Sequence, residues 1–281
     1  MAYLLAHTLF GSRVLDRLNT KIDNQANFYL GCVGPDMFFF DRTPPPLFRK
    51  NQKILGNLLH HESGSQLLKA FLDCRCEHEG QNSFLYGMLC HLALDAAVHP
   101  YIESQYSHLD HTRFEVLIDM QLYREQSEQI GRPSQKQLGA DYKSAGAYMA
   151  SVIELLYFKD LPKAYQRSYR KFVFIHKLLF DPKGRKLRFA QRIDKLIGKE
   201  NCTAGFILSV NLPDRYDSRN LEHREWAAPW KKDVKRHESF DELFDEGVEN
   251  AVRWIDALEA GQTDAVMEEL SHIAMNKGVL D

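Results

Sequence analysis

Apolar residues recur at helical spacing along almost the whole chain. Positions three or four residues apart predict an amphipathic helix over 4–18, one or two more over 54–72, a strongly apolar helix over 84–98 and another over 114–122. The same spacing predicts further helices over 144–158, 162–180, 185–198 and 239–258.

Signals for β-strands are nearly absent. The best candidate, the three phenylalanines at 38–40, is too short, since strands usually have about five or six residues. Turn and loop signals fall at 31–35, 44–46, 133, 181–184 and 213. The sequence therefore predicts an all-α protein with a single domain over 1–281, in which 1–130 carries the candidate chemistry and 131–281 is a helical C-terminal half.

Charge and cysteine content narrow the class of protein. The 281 residues include 36 Lys and Arg and 38 Asp and Glu, so the net charge of −2 gives the whole molecule no bias toward polyanions. Five scattered cysteines in a chain of this size predict free thiols and a reducing compartment. The N-terminal segment lacks the features of a signal peptide and no apolar run reaches ~18 residues, so we expect a cytoplasmic protein.

One stretch departs from this even distribution of charge. Residues 159–195 contain 12 Lys and Arg against 3 Asp and Glu. Two interpretations stay open: a face for a polyanion or an anionic membrane surface, and a pair of solvated helices without a partner.

The most informative histidines lie in the apolar helix predicted over 84–98 and just beyond it. His91, Asp95 and His99 stand four residues apart, so their side chains lie on one helix face. Burying two imidazoles and a carboxylate among Leu, Ala and Val is costly unless a metal satisfies them. This row therefore indicates a metal site.

A second row repeats the spacing twelve residues later. His111 and Glu115 are four residues apart, and Asp119 continues the row. One such pair is more often a surface ion pair. Two rows in tandem, one of them in a very apolar helix, favour metal binding.

Further candidate ligands lie upstream of these rows. His7 stands among apolar residues of the first helix, Asp36 follows a Gly-Pro turn, and His60 and His61 end an apolar segment. With the two rows these give about eight nitrogen and oxygen ligands, too many for one tetrahedral zinc and suited to two or three ions.

The set and order of these residues resemble the zinc-dependent phospholipase C family, whose fold the single-strand-specific zinc nucleases share. The resemblance is carried by HTLFGSRVL, FYLGCVGPDMFFF, GNLLHHE, YGMLCHLALDAAVHPYI and HTRFEVLID, and more weakly by NLEHREWAAP and SFDELF. It covers most of the chain and implies an all-α fold with a multi-zinc site.

The resemblance implies three metal positions when it is carried over residue by residue. The ligands are, for the first zinc, Asp36, His60, His91 and Asp95; for the second, His99, His111 and Glu115; and for the third, His7 with a bridging Asp95. His60 is preferred to His61 because it falls one turn after Gly56. Secreted members complete the third site with an N-terminal tryptophan that this chain lacks, so two or three zinc ions are expected.

The resemblance also implies an activity. In such a site a zinc-activated hydroxide attacks phosphorus in line, while Asp36 orients it or serves as general base. We therefore expect a metal-dependent phosphoester hydrolase, phospholipase C-like, with a phospholipid or other phosphodiester substrate and peripheral membrane contact.

Two other functions stay open at this point. A nuclease-like phosphodiesterase is kept open by the basic stretch and its aromatic residues Tyr165, Tyr169, Phe172 and Phe174, although nucleic acid is the less favoured substrate. A non-catalytic module that zinc stabilises for partner binding is the second alternative.

Candidate substrate contacts are less closely tied to a motif. Phe39 and Phe40 either line an apolar mouth or pack in the core, where aromatic residues are common. His223 and Trp226 are candidates from the C-terminal segment. The proline-rich loop at 44–48 offers Leu47 and Phe48 for lipid contact.

Overall fold

The computed structural model describes residues 4–40, 54–78, 81–105, 111–158, 163–199, 202–214 and 217–279. Within these ranges the chain forms eleven α-helices and one small β-ribbon. The helices are α1 (Leu4–Leu15), α2 (Gln25–Val33), α3 (Ile54–His61), α4 (Gly64–Cys74), α5 (Asn82–Ser104), α6 (His111–Ile130), α7 (Tyr142–Tyr157), α8 (Ala164–Leu179), α9 (Arg185–Ile197), α10 (Phe240–Glu259) and α11 (Thr263–Ser271). Strands β1 (Ile273–Ala274) and β2 (Gly278–Val279) pair antiparallel. The predicted all-α class is confirmed.

Helix α5 runs through the centre of the fold. Every residue from Ser83 to Asp95 is buried, as expected for a helix that is apolar on all sides. Helices α1, α2 and α10 pack against it. The polar row of α5 is therefore held inside the core.

Helices α2 and α5 approach closely at a pair of glycines. A Cβ on Gly31 would lie 2.2 Å from the carbonyl oxygen of Phe84, and one on Gly87 would lie 2.1 Å from that of Phe28. Both obstacles are backbone atoms, which cannot move aside. The break predicted over 31–35 falls at Gly34, whereas Gly31 allows close packing inside a helix that continues to Val33.

The remaining elements follow the predicted pattern with some exceptions. The four helices predicted after residue 140 appear as α7, α8, α9 and α10, with ends shifted by one or two residues. Helices α2 and α11 were not predicted. The phenylalanines at 38–40 end a 3₁₀-helix (Gly34–Phe40), and the loop at 44–48 lies outside the described residues. The single-domain organisation stays a prediction.

Among the helices described, none is long and apolar enough to cross a membrane. The described part of the basic stretch consists mainly of α8 and α9, which are amphipathic, since each buries only one stripe of side chains.

Candidate metal centre

Five buried side chains from four elements meet beside α5, and we call them the central cluster. Its members are His7 of α1, Asp36 of the 3₁₀-helix, His60 of α3, and His91 and Asp95 of α5. None is more than 7% exposed. Five polar side chains are thus removed from water at one point of the core.

Asp95 lies in the middle of the central cluster. Its Oδ2 is 3.2 Å from Nε2 of His91 and 3.3 Å from Nε2 of His60, and its Oδ1 is 3.4 Å from Nε2 of His7. Asp36 completes the cluster, with Oδ1 3.1 Å from Nε2 of His60 and Oδ2 3.8 Å from Nε2 of His7. Two overlapping triplets could each hold an ion: His7, His91 and Asp95, and Asp36, His60 and His91.

Backbone carbonyls set the orientation of two of these imidazoles. Nδ1 of His60 donates to the carbonyl oxygen of Gly56 at 2.7 Å, and Nδ1 of His91 donates to that of Cys32 at 2.9 Å. A carbonyl oxygen only accepts, so Nδ1 carries the proton in each ring and Nε2 is the atom that faces the cluster. Metal-bound histidines are commonly oriented in this way.

As a result, acceptor atoms face one another across the central cluster. Nε2 of His60 lies 3.4 Å from Nε2 of His91, and oxygens of Asp36 and Asp95 lie within 3.3 Å of these nitrogens. Buried lone pairs and negative charges at such separations repel unless a proton or a cation lies between them. Imidazole nitrogens and carboxylate oxygens are ligands that suit zinc.

In the metal-free protein, protons lie between the acceptor atoms of the central cluster. Burial opposes the charged form of His60, but hydrogen bonds to Asp36 and Asp95 outweigh it and raise the pKa of His60 to about 10. Burial also opposes ionisation of Asp95, yet the charges of His99 and His91 hold the pKa of that carboxyl well below its usual range. The central cluster therefore binds a proton where it would bind a metal.

Three further side chains form a second group, which we call the outer group. His99 of α5, with His111 and Glu115 of α6, could hold another ion. Nδ1 of His99 donates to the carbonyl oxygen of Met275 at 2.7 Å, and Oε1 of Glu115 lies 2.6 Å from Nε2 of His111. The outer group joins the central cluster through α5, because His99 lies one turn after Asp95.

Glu103 supports the outer group and was not among the predicted site residues. Its Oε1 lies 3.4 Å from Nδ1 of His111, and carboxylates in this position orient metal-bound imidazoles. Burial opposes the charge on His111, but Glu115 and Glu103 outweigh it and raise the pKa of His111 to about 10. A sequence signal exists, since Glu103 continues the row of four-residue steps beyond His99.

Comparison of the chain with known protein families shows which family carries this site. The model of the zinc-dependent phospholipase C family matches residues 6–172, more than half of the chain, and this range contains the central cluster and the outer group. The chain belongs to the zinc-dependent phospholipase C family. No curated protein and no solved structure matches it. Membership and the metal-competent groups assign a metal-dependent, phospholipase C-like function with zinc as the cofactor.

In this member of the zinc-dependent phospholipase C family, a turn at Gly34 brings Asp36 to α5. Gly34 ends α2 with a φ of +41° and its N–H donates to the carbonyl oxygen of Leu30. A Cβ at this position would lie 2.6 Å from Sδ of Met88. Glycine satisfies both the left-handed φ and the close approach, and the 3₁₀-helix that follows directs Asp36 into the cluster.

Of the two adjacent histidines in α3, His60 is the one that the structure brings to the central cluster. His61 is exposed, and its Nδ1 donates to the carbonyl oxygen of Asn57 at 2.6 Å. Neighbouring residues in an α-helix point about 100° apart, so only one of the pair can face Asp36.

Of the two aromatic residues predicted to contact substrate in the 38–40 segment, one lies at the site and the other in the core. Phe39 is half-buried and its ring centroid lies 5.4 Å from that of His60. Phe40 is fully buried, with its ring 5.4 Å from Phe172 and 5.3 Å from His176. Phe39 therefore lies beside the central cluster, whereas Phe40 is a core residue that offers no surface to a substrate.

The two predicted contacts from the C-terminal segment lie elsewhere. His223 is exposed and its Nδ1 donates to the carbonyl oxygen of His237 at 3.1 Å. Trp226 is buried with its ring 5.4 Å from that of Tyr101 and 4.8 Å from the guanidinium of Arg236. Among the contacts of the described residues, neither side chain reaches the central cluster.

Asp119 holds the start of α1 in place. Its two carboxylate oxygens accept hydrogen bonds from the backbone N–H groups of Leu5 at 3.1 Å and Ala6 at 2.9 Å. The first N–H groups of a helix have no partner within the helix. Because these residues directly precede His7, the contact also fixes the position of a candidate ligand.

We expect Asp119→Asn to destabilise the protein by about 1–3 kcal/mol, since one buried N–H would face an amide N–H₂ instead of an acceptor. Thermal unfolding measures this as a fall of roughly 2–4 °C per kcal/mol. Asp73→Asn is the matched control, because Asp73 pairs with Lys69 at the surface and such pairs contribute at most about 1 kcal/mol. Equal melting temperatures for the two variants would contradict the assigned role.

Proposed function

We propose that the protein hydrolyses the phosphodiester of phospholipids on the glycerol side of phosphorus, releasing diacylglycerol and the phosphorylated head group. The observation that carries this proposal is the convergence of Nε2 atoms and carboxylate oxygens in the central cluster, at 3.1–3.4 Å from one another. When bound there, zinc lowers the pKa of a coordinated water and offsets charge on phosphate oxygens.

The chain's own residues divide the remaining work. His7, Asp36, His60, His91 and Asp95, together with the outer group, would hold the ions, and Asp95, which contacts imidazoles with both oxygens, would serve two of the positions. Asp36 accepts the proton of the attacking water as general base. Attack is in line and forms no covalent bond with the protein; the glycerol oxygen leaves as the P–O bond breaks and takes a proton from solvent.

A nuclease-like activity has less support. Three of its four candidate stacking residues, Tyr165, Tyr169 and Phe172, are buried, and Phe174 alone is exposed. Stacking on exposed aromatic rings supplies much of the affinity for single-stranded nucleic acid. A platform for bases is therefore not formed by this set.

The setting that fits this function is the cytoplasmic face of a membrane. All five cysteines lie within the described residues and are free thiols, which supports a reducing compartment. We accordingly propose a cytoplasmic protein with peripheral membrane contact.

The test is hydrolysis by the zinc-loaded protein of phospholipid vesicles, bis-p-nitrophenyl phosphate and single-stranded DNA, with and without chelator. We expect chelator-sensitive release of phosphorylated head groups, and Asp36→Asn should lower kcat by at least about 100-fold, the scale of general-base catalysis. His61→Gln is the matched control, because His61 faces away from the cluster. Cleavage of DNA alone would identify a nuclease, and no turnover with full zinc would identify a non-catalytic binding module.

A further inference from the structure

Helix α9 exposes several large apolar side chains, although a surface helix ordinarily turns such side chains toward the core. Phe189 is 66% exposed and Leu196 is 86% exposed, and Ile197 beside it is also exposed. Leu178, at the end of α8, is exposed as well and borders the same groove as Phe189. We call these four residues the apolar ridge.

The pattern along α9 separates the apolar ridge from the stripe that faces the core. Leu187, Ala190 and Asp194 are the buried residues of this helix. Phe189 and Leu196 are seven residues apart, about two helical turns, and so lie on one face, which is roughly opposite Leu187. The helix therefore has two apolar faces, of which the fold covers one.

Positive charge flanks the apolar ridge. Residues 164–199 include eleven Lys and Arg and only two acidic residues, Asp181 and Asp194. Both acidic residues are buried and accept backbone hydrogen bonds, Asp181 from Arg185 and Leu187, and Asp194 from Thr203 and Ala204. Asp181 thus holds the start of α9 and Asp194 holds the backbone at 203–204, and the charge that this segment turns to solvent is positive.

An apolar groove lies beside the ridge, and one of the residues that border it contacts α6. The groove has a volume of about 720 Å³ and is bordered by Leu178, Phe189 and Phe206, among others. The guanidinium of Arg113 lies 5.3 Å from the ring centroid of Phe206. Arg113 belongs to the first turn of α6, between His111 and Glu115 of the outer group. Phe206, which borders the groove, therefore contacts the turn of α6 that carries His111 and Glu115.

We propose that the apolar ridge and the basic residues of α9 form a docking surface for an anionic phospholipid bilayer. Arg188, Arg192 and Lys195 follow one another at steps of four and three residues, so they lie on one side of α9, where long basic side chains reach head-group phosphates while neighbouring apolar residues enter the acyl region. The aliphatic members of the ridge favour hydrocarbon over nucleic acid, which offers them no apolar volume. This surface rests on the proposed function, because the bilayer supplies the substrate.

The test is sedimentation of the full zinc-loaded chain with vesicles of phosphatidylcholine, alone or with roughly a third phosphatidylserine, at low and high salt. We expect binding to the mixed vesicles that salt weakens. Arg188→Glu with Arg192→Glu should lower the partition coefficient by at least about thirtyfold. Phe189→Ser with Leu196→Ser should lower it by at least about tenfold. All four side chains are exposed, so both variants should fold, which circular dichroism verifies.

Matched controls make the same changes elsewhere on the surface. Leu155→Ser with Leu221→Ser removes two exposed leucines, and Lys21→Glu with Lys232→Glu reverses two exposed lysines; both should bind as the unmodified protein does. Hydrolysis of soluble bis-p-nitrophenyl phosphate should be unchanged in every variant.

Two outcomes would overturn the docking surface: vesicle binding that the α9 variants retain, and binding of a single-stranded oligonucleotide, but not of vesicles, that the charge reversal abolishes. Failure of the proposed function is distinguishable from either. A protein that binds mixed vesicles through α9 but hydrolyses no phosphodiester would keep the surface and lose the activity.

Discussion

Replacing Asp95 by Asn should abolish phosphodiester hydrolysis and lower zinc content together. Asp95 contacts three imidazoles of the central cluster with its two oxygens, at 3.2–3.4 Å. Asn has nearly the same shape, so packing is kept, but it removes the negative charge and turns an N–H₂ donor toward a position that needs an acceptor. We expect zinc affinity to fall by at least about 100-fold, since even changes to residues behind the ligands cost about 10–100-fold.

The control for Asp95→Asn is another buried aspartate with a purely structural role. Asp181 is 3% exposed and accepts hydrogen bonds from the N–H groups of Arg185 and Leu187. Asp181→Asn should lower the melting temperature without changing zinc content, measured by elemental analysis, or turnover of bis-p-nitrophenyl phosphate. An Asp95→Asn protein with full zinc and full activity would remove Asp95 from the metal centre.

The parts of the site that a sequence reveals are those fixed within one helix. The row His91, Asp95 and His99 is visible because the helical repeat brings every fourth residue to the same face. The polar row also stands out, since the rest of α5 is apolar enough to require burial. Glu103 belongs to the same row and is identified by the same rule once the row is followed one turn further.

The arrival of His7, Asp36 and His60 at α5 depends on tertiary packing. Their sequence contexts mark them only as single candidates, and the resemblance to a family is what assigns them to one site, because no local spacing links three separate elements. The turn at Gly34 illustrates the difficulty: its sequence indicates a break, while Gly31, three residues earlier, has the same appearance and lies inside a helix. The two glycines differ in the residues that they pack against. These residues belong to α5, so the sequence around each glycine does not reveal them.

Two further features could not be predicted from the sequence: which of two adjacent side chains faces the site, and which backbone carbonyls contact the imidazoles. Phe39 and Phe40 have the same side chain, yet one lies beside His60 and the other packs against α8. The carbonyl groups of Cys32 and Met275 orient two imidazoles, and a carbonyl oxygen is present at every residue. No side-chain pattern therefore identifies these two positions.

Removing zinc should lower the melting temperature by at least about 10 °C. A ligand at about 1,000 times its Kd stabilises the folded state by ~4 kcal/mol per site, and each kcal/mol corresponds to roughly 2–4 °C in a chain of this size. The Kd also depends on pH, because the pKa values of His60 and His111 in the metal-free protein are about 10. Zinc must displace these protons, so its affinity should rise with pH until about 10 and chelators should act most readily in acid.

Calorimetric titration of the metal-free protein with zinc, in buffers of different ionisation enthalpy, counts the protons released. At pH 7 we expect about two protons per chain, one each from His60 and His111, since this pH lies well below the pKa of both imidazoles. The His60→Gln variant should release about one proton fewer on binding zinc. The His61→Gln variant, in which the adjacent exposed imidazole is changed, should release the full number. Equal proton release by the two variants would show that the proton on His60 does not compete with zinc, and would contradict the pH dependence expected for this site.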